Sequence, residues 1–299
     1  MKVYTYLFFI SLLFLLGACT KPNSLKHKTG LSMANSIYSL KEGKIVSKAR
    51  LLDVLRAYPV VFIGDFHNNK AMHQFTAELI GILGKEYQLH LANEWFTPMD
   101  NETLDDFVKK KLTEEEFLKV VNWKKNIGYN YDSYKRIYQR LQGVEGKMYG
   151  INLSRAERKK ISLVQIAKMN EKEKLFYNTM DLNTSVHKQF ISSFLHDCHA
   201  PLKNEEKHEC LERMYRVQVA WDEKMGKESA ILAKTVIKEK KDKLIVFVGA
   251  MHLEFGLGVN MRFSRNSTLP HVSILPKSKK NIEIGSADFI YYIDDASSL

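Results

Sequence analysis

The chain has 299 residues, 45% of them hydrophobic and 26% charged, with a formal net charge of +11. That is apolar material for one large domain, or one domain with an insertion, and it excludes a disordered chain. Lysines and arginines are interleaved with glutamates and form no basic stripe with aromatics, so no nucleic-acid partner is expected, while an anionic lipid or ligand remains compatible with the charge.

Residues 1–18 read as a signal peptide outside the fold. Lys2 gives a positive start, Leu7 to Leu16 a short apolar run, and Leu16-Gly17-Ala18-Cys19 resembles a bacterial lipobox. The Cys19 thiol would then carry diacylglycerol, with acyl chains such as palmitate, and two chains hold stably to a membrane. Thr20 follows, not the Asp that resembles an inner-membrane retention signal, so the expected place is the cell envelope at the outer membrane. Residues 19–36, with Pro22, Asn23, Ser24 and several lysines, read as a tether, which leaves residues 37–299 as the folded part.

Strand-like runs follow at Val60 to Ile63, Leu89 to Asn93, Lys147 to Ile151, Leu244 to Val248, Val272 to Leu275 and Phe289 to Ile293. Helical patterns lie between most of them. The expected class is α/β, with a largely parallel central sheet flanked by helices. Gly64 is expected to end the first strand, and Met72, Phe75, Thr76, Leu79, Ile80 and Leu83 then mark one face of a helix that His73 borders. Thr113 and Glu116 fit a capping box, with Leu112 and Phe117 as its hydrophobic staple. Tyr131, Tyr134, Ile137, Tyr138 and Leu141 recur at helical spacing, as a core face does.

Residues 154–239 have almost no β pattern and are expected to form a helical insertion, a cap on the sheet. Within it the run HDCHAPLKNEEKHEC carries Cys198 and Cys210 beside His196, His199 and His208. Outside the cytosol a disulfide is favoured, with a soft-metal site as the alternative.

Chemistry is expected at the carboxyl ends of the strands, where loops converge in open α/β sheets. Those loops hold Gly64-Asp65-Phe66-His67, Glu94, Asn152 and Gly249-Ala250-Met251-His252, so a Gly-x-x-His spacing occurs twice. Each glycine would let the chain turn off its strand. His67, Glu94 and His252 suit a two-histidine, one-carboxylate site for a divalent metal such as Zn or Fe. The same groups, with Asp65, suit metal-free hydrolysis, where a carboxylate orients an imidazole that activates water. Arg262, after Gly256 and Gly258, is a candidate for binding an anion. No dinucleotide fingerprint or phosphate-binding lysine loop is present.

The segments GDFHNNKAMHQF, ANEWF, NWKKNIGYNYDSYKRIY, YGINLSRAERKKIS, QVAWDEKMG and VGAMHLEFGLGVNMRF together resemble the ChaN family of iron-regulated lipoproteins in the Tiki superfamily, from about Leu51 to Phe263. The resemblance implies an α/β domain with a helical cap that binds haem (iron protoporphyrin IX) and takes part in haem-iron uptake. It also implies kinship with superfamily members that are hydrolases or proteases using the same strand-end histidines and acids. Asp65 stands where the family more often has Glu, one methylene longer, and Asn260 stands where Pro is common. Haem needs an axial ligand, apolar cover and partners for its propionates. Tyr177 and Tyr215 in the insertion are the ligand candidates, with His196 or His199 as propionate partner or second ligand. Tyr129, Tyr131 and Tyr134 form the competing group. A homodimer covering both haem faces and an outer-membrane haem transporter are the expected protein partners.

Overall fold

A computed structural model describes residues 34–195, 197–198, 201–278 and 285–293. The signal peptide, Cys19 and the tether up to residue 33 lie outside the described residues. Two short strands open the fold, β1 (Ile37–Ser39) and β2 (Lys44–Val46), followed by α1 (Lys48–Ala57). Then come β3 (Val60–Asp65), α2 (Lys70–Leu83) and β4 (Gln88–Asn93). A run of helices follows: α3 (Asn101–Val108), α4 (Glu114–Val120), α5 (Trp123–Asn126) and α6 (Tyr131–Gly143). After β5 (Lys147–Gly150) the insertion contributes α7 (Arg155–Ser162), α8 (Glu171–Thr179), α9 (Ser185–Ser192) and the long α10 (Lys207–Val236). The chain ends with β6 (Asp242–Gly249), α11 (Val259–Asn266), β7 (His271–Ser278) and β8 (Phe289–Ile293).

All six predicted strands are present, in a sheet of order β2-β1-β8-β7-β3-β6-β4-β5. Pairing is parallel from β8 to β5 and antiparallel where β1 meets β2 and β8. The antiparallel edge was not foreseen. Its strands have three residues each, and two of the three in β2 are exposed, so they carry no apolar alternation to read.

The central strands are buried on both faces, which is why they read as unbroken apolar runs. Val61, Ile63, Ile245 and Phe247 face a core shared with α1 to α6, whereas Val60, Phe62, Leu244 and Val246 face one shared with α10 and α11. A third cluster, including Ile161, Ile191, Tyr215 and Val219, lies within the insertion. Helix α10 enters both of the last two: Tyr215 to Ala220 pack in the insertion, and Met225, Ala230 and Ala233 pack against the sheet.

The expected end of the first strand needs correction. β3 runs through Gly64 to Asp65, with Gly64 opposite Val248 and Asp65 opposite Gly249. Gly64 does not turn the chain; a Cβ there would come within 2.5 Å of Leu275 Cδ2 and 3.1 Å of Ala250 Cα. Close packing, not backbone freedom, requires glycine.

β6 lies between β3 and β4, which precede it in the chain, and its register brings Asn93 opposite Phe247. The three strands therefore end side by side, spaced by about 5 Å per strand. Asp65, Glu94 and Gly249 arrive together at that edge.

Candidate functional site

Past Asp65 the chain turns through Asn68, whose positive φ of 62° suits Asn, and Asn69 caps α2 by accepting from Met72 N at 2.9 Å. This short turn folds two histidines back on one carboxylate. His67 Nδ1 donates to Asp65 Oδ2 at 2.8 Å, His73 Nε2 donates to Oδ1 at 2.6 Å, and Tyr134 Oη donates to Oδ2 at 2.9 Å. Asp65 is 3% exposed. Burial alone would raise its carboxyl, but the hydrogen bonds and charges of His67 and His73 hold it below its ordinary value. Burial likewise would lower His67, and Asp65 together with Glu94 raises it instead.

A second arrangement of the same kind faces it across the strand ends. His252 Nδ1 donates to Asp222 Oδ1 at 2.6 Å, with the Gln218 amide 2.9 Å from the same nitrogen. The other Asp222 oxygen lies 3.1 Å from His187 Nε2, and Tyr215 Oη lies 3.3 Å from His187 Nδ1. Asp222 is fully buried; burial pushes its carboxyl up, and His252, His187 and Arg262 bring it below its ordinary value. Burial would lower His252, but the Asp222 charge and hydrogen bond raise it.

Glu94 stands between the two, its Oε2 accepting the Gly249 amide. Asn152, at the end of β5, fixes the local chain by donating Nδ2 to Glu94 O at 2.9 Å. At Gly249 a Cβ would lie 3.2 Å from His67 Cε1, 3.4 Å from Glu94 Oε2 and 3.4 Å from His252 Cδ2. The structure thus brings His67, Glu94 and His252 together around one glycine. That glycine has φ −49°, so here too the residue gives room and not a turn. With Nδ1 of each ring held on an aspartate, Nε2 is the nitrogen left for a ligand, a metal or a substrate proton.

The three residues form the floor of a cleft of about 620 Å³. Its walls are Trp95, Phe96, Ile127, Tyr129, Leu153, Trp221 and Met251, with Arg155 and Arg158 from α7. Trp95 and Tyr129 flank the His67 ring, with centroids at 4.8 and 4.5 Å. The Trp95 indole N–H is buried without a hydrogen-bond partner among the described residues.

The haem-ligand candidates separate clearly. Tyr129 lines the cleft, half-buried, and its hydroxyl makes no hydrogen bond to a described residue. Burial raises its phenol, as do the charges of Glu94 and Asp65. Tyr131 is buried against Trp123 and Tyr138, and Tyr134 is fully buried on Asp65. Tyr215, 3% exposed, is used by His187, and Tyr177 packs on the insertion's own core. Neither Tyr177 nor Tyr215 lines the cleft; helical packing turns both toward the insertion's own core. His196 and His199 lie outside the described residues. Arg262 is fully buried and outside the cleft, with Nε 3.2 Å from Glu223 Oε1 and Nη1 donating to Leu257 O and Gly258 O. Cys198 and Cys210 form a disulfide with Cα atoms 5.8 Å apart, so neither offers a thiolate to a metal.

Sequence reasoning missed Asp222, His187 and Gln218. A signal existed: Tyr215, Gln218 and Asp222 follow helical spacing and put polar groups on the buried side of α10.

The family model described as haem-binding uptake, Tiki superfamily, ChaN matches residues 51–263. Among solved structures the fold is similar to ChaN of Campylobacter jejuni, described with cofacial haem binding, at 19% identity and TM-score 0.66, over 85% of this chain and 95% of that one. The type III effector HopBA1 aligns at 14% identity and TM-score 0.45, over 82% of this chain and 92% of that one. The erythromycin esterase EreC in its open conformation aligns at 12% identity and TM-score 0.46, over 81% and 77%. No curated protein sequence matches the chain.

Proposed function

Because the chain belongs to the ChaN family of haem-binding uptake proteins in the Tiki superfamily, we propose that it binds haem in the cleft at the carboxyl edge of its sheet. The observation that carries this reading is the cleft itself. Aromatic and apolar walls converge on imidazoles and on one half-buried phenol, Tyr129, with no internal partner. Those residues fit the group, since a porphyrin needs apolar cover and a phenol or imidazole suits its iron. Titrating hemin into the purified soluble domain tests it. A saturable Soret shift at micromolar protein is expected, and its absence sinks the reading.

The setting proposed is the cell envelope. The lipobox ending at Cys19 supports a lipid anchor at the outer membrane, and the disulfide agrees with an oxidising compartment. Cys19→Ser should release the protein from the membrane fraction and abolish labelling by palmitate. A homodimer draws support from the cofacial haem of the Campylobacter protein, and an outer-membrane haem transporter would be the supplier.

One observation favours a second reading, an envelope hydrolase. Each cleft histidine is oriented by a buried aspartate, and Glu94 lies between them, as general-base catalysis or a divalent metal requires. Elemental analysis of untagged protein discriminates the two. Stoichiometric Zn, Mn or Fe without porphyrin, together with a hydrolysis lost in His67→Ala, would favour the enzyme.

A further inference from the structure

Helix α7 carries its charge against the usual rule. The N-terminal end of a helix is its positive end, where acidic side chains stabilise and basic ones do not. Yet two of the four residues in its first turn are Arg155 and Arg158. Glu157, the acid of that turn, is folded back on Ser154, accepting its amide at 2.7 Å to complete the capping box.

Neither arginine makes an ion pair with a described residue. Arg155 Nη1 donates to the Lys125 carbonyl at 3.1 Å, and Arg158 lies over the Trp221 ring with its guanidinium carbon 5.7 Å from the centroid. The acids of the cleft are engaged elsewhere: Glu94 on the Gly249 amide, and Asp100 on the backbone and hydroxyl of Thr97. Arg158 is half-buried, and burial lowers its guanidinium below the ordinary value, with the Arg155 charge adding to this. Arg155, exposed, and Arg158, half-buried, thus stand with like charge in the first turn of one helix, in the wall of the cleft. Like charges at the positive end of a helix cost stability, and a bound anion would offset that cost.

Resting on the haem reading above, we infer that Arg155 and Arg158 form the clamp for the two propionate carboxylates, so that haem is recognised by its carboxylate edge at α7. A guanidinium presents a planar fork that matches a carboxylate, and two of them three residues apart on one helix meet a ligand with two carboxylates on one edge. Trp221 holds Arg158 in place and also lines the cleft, so the ring serves cation and ligand together.

The test compares hemin with its dimethyl ester, presented from the same solvent stock to wild type, to Arg155→Gln/Arg158→Gln and to Arg155→Lys/Arg158→Lys. Lys172→Gln/Lys227→Gln, in a separate hollow beside α8, controls for loss of net charge. Wild type should bind hemin about tenfold or more tightly than the ester, as expected for charge-assisted hydrogen bonds. The double glutamine variant should lose that preference while binding the ester as wild type does. The lysine variant should regain part of it. A second readout separates ligand binding from folding: without hemin, the glutamine variant should melt at or above the wild-type temperature, because an uncompensated repulsion is gone. If wild type binds hemin and ester equally, or the glutamine variant keeps its preference for hemin, the clamp is overturned and the haem reading stands. If the glutamine variant melts lower and loses both ligands, the arginines are structural and the clamp is overturned. If wild type gives no saturable hemin binding, both readings fall.

Discussion

Asp65 and Asp222 each hold two histidines, and in each set one imidazole reaches the cleft while the other stays inside. The pairs are coupled, so their stability depends on pH in a defined sense. The Asp222 carboxyl is lowered in the fold, so its contribution is complete above an unfolded value of about 4 and is lost as pH falls through the lower folded value. His252 is raised, so its contribution is complete below about 6.5 and is lost as pH rises through the higher folded value. Asp222→Asn should therefore cost most between about pH 4 and 6.5, on the order of 3 kcal/mol, and less on either side. Urea unfolding of both proteins from pH 3 to 9 measures this, and a difference constant across that range would refute the coupling. Tyr129→Phe removes one oxygen from the cleft wall and touches no internal hydrogen bond. It should abolish the phenolate charge-transfer bands of the hemin complex and weaken binding about tenfold, leaving the melting temperature of the hemin-free protein unchanged. Retained bands would move the ligand to another tyrosine, and a wild-type complex without such bands would move it to His67 or His252. At this scale the sequence was informative wherever a residue follows a strand: Asp65, His67, Glu94 and His252 were all legible from Gly-x-x-His spacing and the place of the loops. The roles of the tyrosines were not. Tyr129, Tyr131 and Tyr134 lie within six residues, and which of them faces the cleft depends on Asn130 starting α6 between the first and the second.

Among the elements, β3, β4 and β6 define the site, because their register fixes which strand ends are neighbours. Each strand was legible as an apolar run, but their order was not. That β6 enters between β3 and β4 follows from long-range pairing, which local patterns do not encode. The same limit hid Asp222, the partner of His252, and His187 behind it, since they come from α10 and α9, 30 and 65 positions before His252 in the chain. The insertion adds a covalent device of its own. The disulfide joins Cys198 to the first turn of α10 across a separation of 12 residues. For a loop of that size a disulfide contributes about 3 kcal/mol by restricting the unfolded chain. Cys198→Ser/Cys210→Ser should lower the melting temperature by roughly 5–10 °C. Hemin affinity should not change, because no described residue of that loop lines the cleft. Calorimetry and a hemin titration on the same variant check both halves; a large loss of affinity at unchanged stability would contradict the assignment of the disulfide to folding alone.

The molecule as a whole combines a sheet that positions acids and imidazoles with an insertion that supplies part of the wall above them. A flat ligand covered on one face by this cleft leaves its other face to be covered, so addition of hemin should shift the solution mass toward twice that of the chain. Light scattering with and without hemin reads this directly, and a complex that stays monomeric at saturation would remove the homodimer from the proposal.

Helix α10 ties these parts together, with Tyr215 in the insertion core, Gln218 and Asp222 on His252, and Met225, Ala230 and Ala233 on the sheet. At about 45 Å it is a single stiff rod, long enough to cross most of the domain. The insertion is therefore not a flap on a hinge. To swing away it would have to break the rod or pull Asp222 off His252, so opening is expected to be coupled to unfolding. Amide hydrogen exchange should report it: protection along Tyr215–Asp222 should match that along Met225–Ala233, as in one cooperative unit. The kinetic consequence reaches the ligand. Entry into a cleft held open in this way should be governed by encounter and by the charge at its mouth, and the time a ligand stays by the strength of its contacts.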